Sequence, residues 1–341
     1  MTIEEFLTEW NNADPRVLVH TSGSTGKPKP LWVEKSRMLN SARITCDFLR
    51  LKAGDTALLC MPLDYIAGKM VVVRSIERNL RLINVKPSGH PLSDDSLRQA
   101  NALQEEITFA AMVPLQVYNS LQVPQERERL RKIRQLIIGG GAIDDHLAEA
   151  LKDFPHAVWS TYGMTETLSH IALRRLNGDS ASDWYEPFDS VEVNLNTDGC
   201  LIINAPAACS KPLVTNDRAE LQTISLSNDK HKQVRFRILG RRDNVIDSGG
   251  IKIQIEEVER ALKAHLTEEY AITSIRDKKF GERVVLLTTS EYTDSINTIC
   301  QRILPKYWQP HLILHTTSIP QTATGKPARA EIKALADTLC Q

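Results

Sequence analysis

The chain has 341 residues, enough for two domains and a sizeable core, and its 42 Lys+Arg are balanced by 42 Asp+Glu. That balance argues against a nucleic-acid or anionic-membrane surface, and no apolar run reaches the length of a bilayer span, so membrane insertion is not expected. Six cysteines (Cys46, Cys60, Cys200, Cys209, Cys300 and Cys340) form no C-x-x-C pair and no metal-like spacing, so reduced thiols in a soluble, cytoplasmic protein are expected.

The first ten residues, MTIEEFLTEW, are acidic and amphipathic, with Thr2 and Glu5 at capping-box spacing and none of the pattern of a signal peptide. Val17-Leu18-Val19 reads as the end of a buried strand. The segment LWVEKSRMLNSARITCDFL, with Met38, Ile44 and Leu49 as its apolar positions, reads as a helix. Between them lies HTSGSTGKPKP. Glycines let backbone N–H groups converge on an anion, hydroxyls add donors and lysine adds charge, so the loop favours a phosphate. It is not a Walker A loop: two residues separate Gly23 from Gly26 where that motif has four, and Pro28 bars an immediate helix.

From Asp55 to about Val158 short apolar runs (TALLCMPL, LRLINVK, ITFAAMVP, QLIIGGG) alternate with helical text (IAGKMVVVRSIERN, DDSLRQANALQEE, DDHLAEALKDF). Such alternation predicts an α/β domain with a mainly parallel sheet, whose ligands gather at the carboxyl ends of the strands. The basic run QERERLRKIRQ, 125–135, reads as a solvated helix face because its charges alternate in sign. From Val191 to Leu239 the runs shorten and are punctuated by Asp-Gly and Asn-Asp turns, which predicts a small antiparallel β subdomain. A polar connector at Gly240–Asp243 then leads into a helix near Gln254 and a smaller α+β tail. The expected domains are 1–239 and 240–341.

Five segments, in order, carry a resemblance. TSGSTGKPK at 21–29, YGMTET at 162–167, TND at 215–217, GRRDNVIDSGGIKI at 240–253 and PQTATGK at 320–326 resemble the core motifs of the adenylate-forming superfamily, which includes acyl-CoA synthetases, peptide-synthetase adenylation domains and luciferases. The resemblance implies a carboxylic acid, ATP, Mg²⁺ and CoA as substrates and cofactors, with an acyl-adenylate formed first and a thioester second. It implies that Thr21, Ser22, Gly23, Ser24, Thr25, Gly26 and Lys27 form the loop over the β- and γ-phosphates. Thr165 would donate to the α-phosphate and Glu166 would hold Mg²⁺ with phosphate oxygens. Tyr162, Gly163 and the small residues Gly139, Gly140, Gly141 and Ala142 would flank the adenine and the acid. Asp217 would accept from the ribose hydroxyls and Arg241 would contact ribose or phosphate, with Asn216 replacing the family's usual glycine. Lys326 would bridge acid and α-phosphate. Asp243 would be the hinge about which a mobile C-terminal domain swings, and Gly249 and Gly250 would then line the tunnel for the CoA arm.

The family's members carry a long segment ahead of the phosphate loop that this sequence lacks, so a missing N-terminal subdomain and possible homo-oligomerisation are expected. Short chains with PLDYIAGKMVVVRSI and SGGIKIQ are similar to the o-succinylbenzoate–CoA ligases of menaquinone biosynthesis. That substrate is a dicarboxylate, so a cation should face the carboxylate that is not activated, and Lys69 and Arg74 are the candidates. The rival readings are another acyl- or aryl-acid CoA ligase and a nucleotide-binding protein without turnover. His20, His311 and His315 receive no role.

Overall fold

The computed structural model describes residues 1–20, 30–99, 106–143, 145–225, 232–322 and 326–340. Thr21–Lys27 therefore lies outside the described residues. The fold is mixed α/β, as predicted, with a large mainly parallel sheet and three antiparallel or mixed ones.

The large sheet runs in the order Arg81–Asn84, Thr56–Leu59, Phe109–Met112, Gln135–Ile138, Ala157–Gly163, His170–Arg175, Glu186–Pro187. Its first five strands are parallel and the last two antiparallel. Thr56–Leu59 and Phe109–Met112 are buried at every position, the signature of a sheet covered on both faces. Helix Ile66–Arg78 is part of that cover and is itself enclosed from Gly68 to Ser75. Gly68 has a packing reason that the sequence does not advertise: a Cβ there would sit 2.3 Å from the Pro62 carbonyl oxygen.

A four-stranded antiparallel sheet follows (Glu192–Leu195, Cys200–Asn204, Leu213–Ser225, Lys232–Arg241), as the shortened runs predict. The C-terminal part pairs Ile251–Gln254, Val245–Ser248, Gly281–Thr288 and Tyr270–Asp277, with Leu312–His315 added in parallel to Gly281–Thr288. Helices Ile255–Lys263, Thr293–Ile303 and Arg329–Leu339 accompany it. One apolar cluster runs from Phe6 to Phe236, and two others draw on residues from Ile246 to Ala336.

Thr2 and Glu5 form the expected capping box. Two expectations need correction. Leu31-Trp32-Val33 does not open the helix; Pro30–Glu34 is a strand paired antiparallel to Arg16–His20, and the helix begins at Lys35. A short apolar run followed by helical text carries no mark of where pairing stops. The basic run does form a helix, Pro124–Lys132, but Glu126 is 0 % exposed and not solvated. Its carboxylate accepts from Ser93 Oγ at 2.6 Å and Ser120 Oγ at 2.8 Å, which satisfies it inside the protein.

Candidate active site

Two loops leave the carboxyl ends of neighbouring parallel strands, Gln135–Ile138 and Ala157–Gly163. The first carries Gly139, Gly140, Gly141 and Ala142, and the second carries Met164, Thr165 and Glu166. Gly140 has φ +79°, a conformation that favours glycine. Gly139 and Gly163 have close protein neighbours. A Cβ on Gly139 would lie 2.3 Å from Thr161 Oγ1, and one on Gly163 would lie 2.3 Å from the Ser169 carbonyl oxygen.

Thr165–Thr167 is a single 3₁₀ turn. Thr167 Oγ1 ties it down, accepting from Met164 N at 3.0 Å and lying 2.6 Å from the Ser169 carbonyl oxygen. The turn ends at Leu168, a buried residue held at φ +65°, which turns the chain into the next strand. Thr165 is buried. Glu166 is exposed, and among the described residues its carboxylate enters no hydrogen bond or ion pair; only its backbone carbonyl is engaged, by Cys209 Sγ at 3.2 Å.

The antiparallel ladder sets Asp217 directly opposite Arg241. Asp217 Oδ1 accepts from Arg241 Nη1 at 3.2 Å and Oδ2 from the Tyr162 hydroxyl at 2.6 Å. Burial, and then the Asp217 charge, push the Tyr162 phenol well up, so it stays a donor. Arg241 also grips Asp243 through two bonds of 2.9 Å, which raises the guanidinium further. Asn216, where the family has glycine, accepts from Arg242 Nη2 at 3.1 Å, while Arg242 Nη1 pairs with Asp198 at 2.9 Å. Gln254, which sequence reasoning missed, is buried and donates to the Arg241 carbonyl at 2.8 Å. A Cβ on Gly240 would meet its amide nitrogen at 2.6 Å.

Lys326 comes to this trio from far along the chain. Burial lowers its ammonium most, the Arg241 charge lowers it further, and Asp217 partly offsets both. Its turn is closed by Thr322 N to the Lys326 carbonyl at 2.7 Å and Lys326 N to Thr322 Oγ1 at 3.1 Å. The helix that follows is pinned by Arg329, which donates to both Glu259 oxygens at 2.7 and 2.6 Å. Gly249 and Gly250, at φ +61° and +82°, form the hairpin turn between Val245–Ser248 and Ile251–Gln254; that turn itself calls for glycine.

The two candidate acid-pocket cations differ. Each is 2 % exposed. Lys69 Nζ is taken by Glu9 at 3.2 Å and the Leu18 carbonyl at 2.8 Å, and ties the N-terminal helix to the first strand. Arg74 donates through Nη2 to Ser169 Oγ at 2.6 Å and, more weakly, to Thr45 Oγ1 at 3.5 Å, and its buried Nε has no partner among the described residues. Burial without a carboxylate brings the guanidinium down to about 10. His170 lies between Thr45 and Ser169, with Nε2 3.0 Å from Thr45 Oγ1 and Nδ1 3.2 Å from Ser169 Oγ. Sequence reasoning missed Ser169, His170 and Thr45, although the first two directly follow the YGMTET motif.

Several known proteins are similar to this chain. A 2-succinylbenzoate–CoA ligase of Bacillus cereus is 24 % identical over 354 residues, an alignment that spans 97 % of this chain and 72 % of that protein. An acyl-CoA synthetase (AMP-forming)/AMP-acid ligase II-like protein from Dyadobacter fermentans is 29 % identical, with 98 % of this chain and 93 % of that one covered and a TM-score of 0.61. The Bacillus subtilis o-succinylbenzoate CoA synthetase, MenE, solved with the acyl-adenylate OSB-AMP, superposes with a TM-score of 0.73 at 23 % identity, covering 93 % of this chain and 68 % of that one. The family model described as AMP-binding enzyme matches residues 4–197. With its motifs in order on the strand ends, hairpins and turns just described, the chain belongs to the AMP-binding enzyme family, within the adenylate-forming superfamily.

Proposed function

We propose that the chain is an AMP-forming acid–CoA ligase whose acid is an aromatic dicarboxylate of the o-succinylbenzoate class. The observation that carries the ligase reading is Asp217, set opposite Arg241 and held by it and by Tyr162, with Lys326 in its tight turn within reach of both charges. Asp217, already oriented by Tyr162 and Arg241, has the two oxygens needed to accept from vicinal ribose hydroxyls. Thr165 lies at the strand end where the α-phosphate would sit, and Lys326 would supply positive charge to the oxygens of acid and phosphate as the acyl-adenylate forms. Glu166 fits Mg²⁺: it is exposed, free of protein partners among the described residues, and a single carboxylate plus phosphate oxygens is that ion's usual set. Mg²⁺ bound there would neutralise phosphate charge. The names of the relatives support CoA as the acceptor in the second half-reaction, with Gly249 and Gly250 at the arm's tunnel and a swing of residues 240–341 about Asp243.

Arg74 supports the dicarboxylate. A buried guanidinium with no carboxylate partner among the described residues is costly to keep, and an incoming carboxylate would relieve that cost. Lys69 is already paired and is read here as an anchor.

ATP–pyrophosphate exchange driven by o-succinylbenzoate tests the reading in the wild type and in Lys326→Ala. The expected result is acid-dependent exchange that falls about a hundred- to thousandfold in the variant. Exchange indifferent to Lys326 would remove its role.

A further inference from the structure

We infer that His170 is a positioning residue that gives the acid site its preference for a second anionic group, an inference that rests on the dicarboxylate reading above. The hydrogen bonds around it have a direction. Thr45 Oγ1 donates to the Ser41 carbonyl at 3.1 Å, so it has lone pairs left to offer and accepts from His170 Nε2 at 3.0 Å. A neutral ring with its proton on Nε2 leaves Nδ1 an acceptor, and the Ser169 hydroxyl, 3.2 Å away, donates to it. Ser169 Oγ then turns lone pairs toward Arg74 Nη2 at 2.6 Å. Each hydrogen bond from Arg74 Nη2 to the Ser41 carbonyl then has one donor and one acceptor.

The consequence falls on Arg74. The chain anchors one nitrogen of its guanidinium and leaves Nε undonated, so an arriving carboxylate meets a fixed, unpaired cation. A charged imidazole would spoil the arrangement. Its Nδ1–H would donate into Ser169, whose hydroxyl proton would swing toward the guanidinium. Burial and the neighbouring Arg74 charge hold the ring neutral. His170 also packs beside Phe188, at 5.6 Å between ring centroids, so a space-filling role must be separated from the hydrogen-bonding one.

The experiment compares kcat/KM in pyrophosphate exchange for o-succinylbenzoate and for 4-oxo-4-phenylbutanoate, which lacks the ring carboxylate. His170→Phe fills the site without a donor or acceptor, and His170→Gln keeps one of each. The expected result is that the dicarboxylate-over-monocarboxylate ratio falls about tenfold or more in His170→Phe and largely recovers in His170→Gln. A loss shared equally by both acids in His170→Phe, or a ratio that stays at the wild-type value, would overturn the role and leave the dicarboxylate reading standing. A wild type that shows no exchange with o-succinylbenzoate, or prefers the monocarboxylate, would overturn both together. Circular dichroism and the unfolding midpoint of each variant identify any that fail to fold; if His170→Phe does, His170→Leu, which also has neither donor nor acceptor, replaces it in the same comparison.

Discussion

Asp217 and Asp243 share a counter-charge in Arg241, whereas Arg74 has no ion-pair partner among the described residues. Asp217, Arg241 and Asp243 form one continuous ion-paired chain on half-exposed hairpin backbone. Arg74 is buried on the large sheet's covering helix and, among the described residues, its side chain is seen to donate only to hydroxyls. A paired cluster near the surface is built to hold its own geometry before a ligand arrives. A buried cation with no carboxylate partner among the described residues carries a free-energy cost that an anionic ligand would release, and that asymmetry is the ground for the proposal that the acid's second carboxylate binds at Arg74.

The comparison breaks first at Arg74. Arg74→Met should lower kcat/KM for o-succinylbenzoate by about a hundredfold, the scale of one lost buried charge-assisted contact. The same variant should leave the ligand-free unfolding midpoint at or above the wild-type value, because an uncompensated buried charge has been removed. A clear drop in the midpoint would mean that Arg74 is structural. Lys69→Met gives the opposite signature. It strips Glu9 of its partner and the Leu18 carbonyl of its donor, so the protein should lose about 1–3 kcal/mol in denaturant unfolding.

Gly163→Ala sharpens the link between the two ends. The new Cβ meets the Ser169 carbonyl, which belongs to backbone, so the strand and turn must separate at a cost of about 1–3 kcal/mol. Selectivity for the dicarboxylate should fall with stability, because Ser169 carries the contact to Arg74. Selectivity that survives the loss of stability would uncouple the two. The smallest expected effect is in the pH profile. Lys326 is lowered by burial and by Arg241, and in the proposed role adenylation would use its charged form. The rate should therefore decline, as pH rises, earlier than an ordinary exposed lysine would allow. In Arg241→Gln the decline should move to higher pH, since one lowering charge is gone; no movement would place Lys326 outside Arg241's field.

The ordered motifs were legible through their resemblance to the family, and the structure places Asp217 opposite Arg241 on a hairpin, Lys326 in a tight turn and Thr165 at a strand end; their roles toward ligand belong to the proposal. The parallel sheet was legible from apolar runs alternating with helical text. The difference between Lys69 and Arg74 was not, because pairing depends on Glu9 and Leu18, far away in sequence. Gly139 and Gly163 read as residues beside a ligand, and the sequence did not show that Thr161 and Ser169 crowd them as well. The burial of Glu126 was hidden by its basic neighbours, since a charge pattern says nothing of which single position faces Ser93 and Ser120. Asn216 looked like a departure from the family and turns out to have a partner of its own in Arg242.

The most direct test is mass detection of the thioester after incubation with ATP, Mg²⁺, CoA and o-succinylbenzoate. The account predicts the o-succinylbenzoyl-CoA mass, dependent on ATP and lost in Lys326→Ala. A panel in which monocarboxylic acids yield thioesters and o-succinylbenzoate yields none would contradict it.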